Sequence, residues 1–178
     1  MRTTWRVAAL SVIAVTVSVC TLAQPVTPTP QMKPWDRLVG KWVNQEELRL
    51  KPDGPWQKAS SYWEIRWLNG GFFLETPGGM TMPDGQRLSW VQVYGYDPAR
   101  KVQFTSYYQN NGVLGTGTWE WSGTTTKEDG VEVAPDGAKN TYRCVFVMSA
   151  DYRTSEGTCE WFTNGNWWVF RKVKGTKQ

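Results

Sequence analysis

From Gly40 to Val173 the chain alternates apolar and polar positions in short runs, and no long stretch repeats at the helical period. The runs predict strands at Lys41–Leu50, Ser60–Leu68, Phe72–Thr76, Arg87–Tyr96, Val102–Gln109, Gly115–Trp121, Thr141–Met148, Ser155–Thr163 and Asn166–Val173, with Gly130–Val133 a further candidate. Turn residues separate them. Pro-Asp-Gly occurs at Pro52-Asp53-Gly54, Pro83-Asp84-Gly85 and Pro135-Asp136-Gly137, where proline presets φ and glycine accepts its positive value. Asp97-Pro98, Asn110-Asn111-Gly112 and Asn164-Gly165 mark further turns. The turns are irregularly spaced, so they predict hairpins rather than a repeat array. A meander of about eight to ten antiparallel strands removes its edges by closing, which predicts an all-β up-and-down barrel. Before the first strand, Lys33–Gly40 predicts one helical turn, with Pro34 at its first position and Gly40 just past its end.

The last three strands can be placed in register. An Asn-Gly turn at Asn164-Gly165 sets Phe162 opposite Trp167 and Trp161 opposite Trp168. Pairing Cys144 with Cys159 centres the preceding turn between Asp151 and Tyr152. The two registers agree about faces. Tyr142, Cys144, Phe146, Cys159, Trp161, Trp168 and Phe170 share one; Arg143, Glu160 and Arg171 share the other, with Arg143 opposite Glu160. A Cys144–Cys159 disulfide at a close, non-hydrogen-bonded site follows, worth about 3 kcal/mol in the chain-entropy model; two separate buried thiols are the alternative.

The first residues point to export. Arg2 and Arg6 precede the uncharged run Val7–Val19, and Thr21-Leu22-Ala23 offers a cleavage site, which predicts a signal peptide over residues 1–23. Val17-Ser18-Val19-Cys20 loosely matches a lipobox, so a lipid anchor at Cys20 is the lesser alternative, with no stable membrane insertion after cleavage. Residues 24–33 carry Pro25, Pro28 and Pro30 and predict an extended tether, leaving 34–178 as the domain. A periplasmic or secreted location also suits the two cysteines that remain, because oxidising compartments sustain disulfides. Cleavage removes two arginines and no acid from a chain of net charge +4. The near-balanced charge that remains gives no case for nucleic acid as a partner.

There is no histidine. That excludes Ser-His-Asp triads, histidine-ligated zinc and a proximal-histidine haem. No nucleotide-binding or nucleophile-elbow motif is present either, so no cofactor or metal is expected. Glu46, Glu47, Glu64, Glu75, Glu120 and Glu160 lie in strands, and two of them at one barrel mouth would make a carboxylate hydrolase.

Tryptophan is the unusual signal, with 12 in the chain. Trp63 and Trp67 flank Ile65, while Trp119 and Trp121 share a face with Gly115 and Gly117. Such rings either fill a core or line a pocket for an apolar or flat ligand. Trp56, beside a turn, is the best candidate for stacking on a sugar. Glu64 and Arg66 alternate with Trp63, Ile65 and Trp67 and so face the other way. They form a solvated outer pair or, if that face points inward, they orient a ligand. The candidate ligand-contacting residues are therefore Trp63, Trp67, Glu64, Arg66, Trp119 and Trp161.

Leu38-Val39-Gly40-Lys41-Trp42 resembles the Gly-x-Trp opening of lipocalin-like (calycin) barrels. Trp63-Glu64-Ile65-Arg66 running into Asn69-Gly70-Gly71-Phe72-Phe73, the turn Tyr94-Gly95-Tyr96-Asp97-Pro98, and the closing Phe170-Arg171-Lys172 follow in order. Together they resemble DUF1579, a bacterial family of unknown function, over most of residues 35–173. The resemblance implies an antiparallel barrel in which Gly40 and Trp42 are structural. It also implies that a basic residue of the last strand, Arg171 or Lys172, lies across Trp42. It supplies no catalytic residues.

The expectation is an exported, monomeric, non-enzymatic barrel holding a small, partly apolar ligand. The opposing expectation is a barrel filled by its own aromatics and acting through its surface at the envelope.

Overall fold

The computed structural model describes residues 28–178. The export signal, Cys20, the cleavage site and most of the tether lie outside these residues. Ten strands form one closed antiparallel barrel in simple meander order. They are β1 (Gly40–Leu48), β2 (Gln57–Leu68), β3 (Phe73–Thr81), β4 (Arg87–Asp97), β5 (Val102–Gln109), β6 (Leu114–Ser122), β7 (Thr125–Val133), β8 (Lys139–Met148), β9 (Thr154–Thr163) and β10 (Asn166–Lys177). β10 returns to pair with β1 and leaves no free edge. No helix among the described residues is long and apolar enough to cross a membrane.

Period-two burial sets the inside and the outside. In β1, Trp42, Asn44, Glu46 and Leu48 are buried, while Lys41, Val43, Gln45 and Glu47 face solvent. The turns behave as their residues require. Gly54, Gly85 and Gly137 each donate a backbone N–H to the carbonyl three residues earlier, closing the three Pro-Asp-Gly turns. Asn164 and Gly165 both have positive φ, as the tight hairpin between β9 and β10 demands.

Four elements differ most from the pattern read along the sequence, the first being β3, which continues through Pro77-Gly78-Gly79 to Thr81 rather than ending at Thr76. β7 spans Thr125–Val133, not only its last residues, because Lys127-Glu128-Asp129-Gly130 pairs as strand although it reads as a polar turn. The N-terminal element is a 3-10 helix over Pro30–Arg37, with Pro34 inside it. It begins within the expected tether because Met32 is buried in the core. β10 runs on to Lys177, where its end pairs with Trp42 and Val43.

The β8–β9–β10 register matches the expected one up to a point. Cys144 opposes Cys159 at a Cα separation of 4.1 Å, the close type of cross-strand site, and the two form a disulfide. Arg143 opposes Glu160 and pairs with it on the outside. Trp161 opposes Trp168, and Phe162 opposes Trp167. Between Val169 and Arg171 the register shifts through a β-bulge at Phe170. From there the faces exchange. Arg171 pairs with Cys159 and points inward, and Lys172 points outward toward Glu47. The expected placement of Arg171 on the outer face with Arg143 and Glu160 is thereby reversed. Neither residue lies across Trp42. The β10 residue opposite Trp42 is Lys177, whose Nζ donates to the Arg37 carbonyl at 3.0 Å. The Trp42 indole N–H instead donates to the Leu38 carbonyl at 2.9 Å.

The 3-10 helix closes one end of the barrel. Its Trp35, 1% exposed, enters the barrel and packs against Tyr94, Trp119 and Trp121. Trp35 Nε1 donates to Gln103 at 3.0 Å, and Trp67 Nε1 donates to Asp36 of the helix at 2.9 Å. This end is the base. The loops after β1, β3, β5, β7 and β9 surround the opposite end, the mouth.

Candidate functional site

Above the Trp35 plug the barrel is hollow. A cavity of about 420 Å³ is walled by Trp63, Trp90, Tyr107, Tyr142, Trp161 and Phe170, with Leu48, Leu50, Met80 and Met82 toward the mouth. Its size falls within the range of small-molecule sites. Small inner positions leave the room. Ser61, Thr76, Gly78 and Ser155 face inward where Trp67, Tyr94 and Trp119 occupy the base.

A charged network crosses the interior. Arg171 holds Glu46 in a two-point ion pair, Nε to Oε2 at 2.6 Å and Nη2 to Oε1 at 2.7 Å. The Glu46 side chain is fully buried. It also accepts a short hydrogen bond from the Ser61 hydroxyl, which in turn accepts from Asn44 Nδ2 at 2.9 Å. The opposed charge and the Glu46 hydrogen bond hold Arg171 ionised against the effect of its burial. Its guanidinium also lies 6.0 Å from the Trp63 ring.

Two further carboxyls line the cavity from β7. Trp119, Glu128, Cys144, Cys159, Arg171 and Leu48 are successive partners across adjacent strands, so the disulfide lies between Glu128 and Arg171. The Tyr142 hydroxyl donates to Glu128 at 2.8 Å, and Gln92 Nε2 approaches it at 3.3 Å. The Tyr107 hydroxyl donates to Glu132 through a short hydrogen bond. Glycines make both contacts fit. A Cβ on Gly115 would collide with the Tyr107 ring, and one on Gly130 with Tyr142. Burial pushes Glu128 up to about 7, opposed by the Tyr142 bond and by Arg171. Burial raises Glu132 as well, opposed first by its Tyr107 bond. Near neutral pH this wall can therefore both accept and give up protons.

The cavity also contains unmatched polar groups. Thr76 Oγ1 and Trp119 Nε1 are buried, belong to lining residues and have no hydrogen-bond partner, while the Trp161 indole is turned toward Glu132. Arg171 commits Nε and Nη2 to Glu46, and its Nη1 makes no hydrogen bond among the described residues.

Of the residues singled out from sequence, Trp63, Trp119 and Trp161 meet at this cavity. Trp67 faces inward but belongs to the base, tied to the plug through Asp36. Glu64 and Arg66 lie outside, where Arg66 pairs with Glu75 at 2.7 Å rather than with Glu64. Glu120 also faces out. Trp56 carries Arg49 and Lys172 as cation–π neighbours at 4.8 and 4.2 Å. Sequence reasoning named Glu46 only among the strand carboxylates, without placing it inside, and missed Glu128, Glu132 and the inward turn of Arg171. Alternation from Trp42 would have placed Glu46 inside. The β7 pair was hidden because Glu128 lies in a run that reads as a turn, and no periodic signal marks the bulge that turns Arg171 inward.

The sequence matches the family described as "Protein of unknown function (DUF1579)" over residues 27–167. No curated protein matches it. Among solved structures the fold is similar to that of Rv2717c from M. tuberculosis, with a TM-score of 0.64 at 12% identity, covering 85% of this chain and 99% of that one. A second, the structure titled EF1p2_mFAP2b bound to DFHBI, aligns at a TM-score of 0.44 and 14% identity, covering 83% of this chain and 98% of that one.

Proposed function

Because the chain belongs to the DUF1579 family, whose description assigns no activity, we propose from the barrel itself that this is a binding protein for a small, partly apolar ligand. One observation carries the reading: a cavity of about 420 Å³, closed at the base by Trp35 and walled by aromatic rings around a few buried polar groups. The base is filled by the protein's own aromatics, yet the mouth half is not. A barrel serving only as a scaffold gains nothing from leaving the buried Thr76 hydroxyl without a partner beside open space. The disulfide fits an exported protein acting in an oxidising compartment, and the edgeless barrel fits a monomer.

Native mass spectrometry of the protein purified gently from its own host tests this. A reproducible one-to-one adduct, lost when Trp161 is changed to Ala, is the expected result. A bare protein that also fails to take up amphiphiles or flat aromatic compounds would end the reading.

A further inference from the structure

We infer that the cavity receives an organic cation, an amine whose ammonium rests against Glu128 and Glu132 while its apolar body lies along Trp63, Trp90 and Trp161. The inference rests on the ligand-binding reading and names the class of ligand.

The charge inventory of the cavity and its wall comes first. Three carboxyls, Glu46, Glu128 and Glu132, share the interior with one buried cation, Arg171; a second, Arg49, lies at the rim, where it stacks on Trp56 and Trp168 and donates to the Val169 carbonyl. Arg171 is committed to Glu46 by two hydrogen bonds. Among the described residues Glu128 and Glu132 have no ion-pair partner, although both line the cavity. Buried carboxylates are costly unless paired with a cation or neutralised by a proton. In the empty barrel, tyrosine hydroxyls and a proton serve that purpose. A ligand ammonium would replace the proton.

The second observation is independent of the acids. Thr76, only 4% exposed, lines the same cavity with its hydroxyl unpartnered. It sits directly across from Gln92, whose amide reaches toward Glu128. A hydroxyl oxygen there supplies an acceptor for an N–H that the carboxyls leave over. The surrounding ring faces of Trp90, Trp161, Tyr107 and Tyr142 favour a cation as well.

An anionic ligand fits less well. The positive charge of Arg171 is already neutralised by Glu46, and an anion would enter beside two further acids. The groups acting on Glu128 are Tyr142 on β8, Arg171 on β10, Glu132 and Asp129 on β7, Tyr94 on β4 and Tyr107 on β5, and those acting on Glu132 are Tyr107, Trp161 on β9 and Arg171. An added ammonium favours ionised Glu128, so binding near neutral pH expels a proton.

A matched series of octylamine, octanol and octanoate separates the possibilities, with affinities measured by calorimetry at about pH 8 and about pH 5. Octylamine is expected to bind at least about tenfold more tightly than octanol at the higher pH, and the gap should narrow at the lower. The preference should vanish in E128Q/E132Q while octanol affinity is kept. Should that variant fail to fold, calorimetry of the native protein in two buffers of different ionisation enthalpy decides. Proton release with octylamine and none with octanol supports the inference, and equal release overturns it. Equal affinity for amine and alcohol, or tightest binding of octanoate, overturns the cation and leaves the cavity reading standing. Binding of none of the three overturns both.

Discussion

The two halves of this barrel use the same residue types to opposite ends. At the base, aromatic rings meet one another, and three indoles have found partners, Trp35 with Gln103, Trp42 with the Leu38 carbonyl and Trp67 with Asp36, while those of Trp119 and Trp121 only pack on Trp35. At the mouth, rings of the same kind, among them Trp161 stacked on Phe170 at 3.9 Å, line the wall and leave the middle open. The base is filled across its width and the mouth is lined but left open. Tryptophan content alone therefore says little about whether a barrel is hollow. The deciding factor is what shares the ring positions: a plug at one end, and small or polar residues at the other.

The sharpest way to break the contrast is to empty the base. Trp35→Ala should cost about 3–5 kcal/mol in denaturant unfolding, as buried tryptophan truncations do. Trp90→Ala at the partly exposed mouth should cost clearly less and weaken ligand binding instead. Arg171→Met tests the interior charge between the halves. It strands the buried Glu46 and should also cost about 3–5 kcal/mol, most of which the double variant R171M/E46L should recover. Replacing both cysteines, in C144A/C159A, should cost about 3 kcal/mol, read as a lowered denaturation midpoint that no longer responds to reductant.

A pH series addresses the mouth alone. Burial raises Glu128 to about 7, so the folded protein holds this proton where the unfolded chain has lost it. Stability is therefore greatest in mild acid, falls as pH rises from the ordinary carboxylate range toward 7, and levels off above it; the drop is on the order of 3 kcal/mol. Glu132 adds a change of the same sign. Glu128→Gln should flatten most of the slope. The smallest effect belongs outside. Glu64→Gln and Glu120→Gln should each shift stability by less than about 0.5 kcal/mol and leave ligand affinity unchanged.

Much of the fold was legible because each signal was local. Alternation marked the strands, and Pro-Asp-Gly and Asn-Gly marked the turns. One tight hairpin fixed a register whose hydrophobic face agreed with the cysteine pair. The site was less legible, for three physical reasons. Whether Glu64 faces in or out depends on the pleat, and the strand carries bulky residues on both sides. Lys127-Glu128-Asp129-Gly130 has turn composition, and only its pairing with β6 and β8 makes it strand. The plug reaches Trp119 from a segment far away in sequence, which no local pattern can announce.

The bulge at Phe170 acts as a change of reading frame within a single strand. Before it, β10 is written in one phase, and after it, in the other. One inserted residue thus lets both Phe170 and Arg171 reach the interior, where regular pairing of the same letters would set Phe170 opposite Cys159 and leave the guanidinium on the solvent side. Deleting Phe170 would leave Val169 opposite Glu160 and Arg171 opposite Cys159, a regular strand that keeps the guanidinium inside and loses one ring from the cavity wall. The composition of β10 and its meaning are separable.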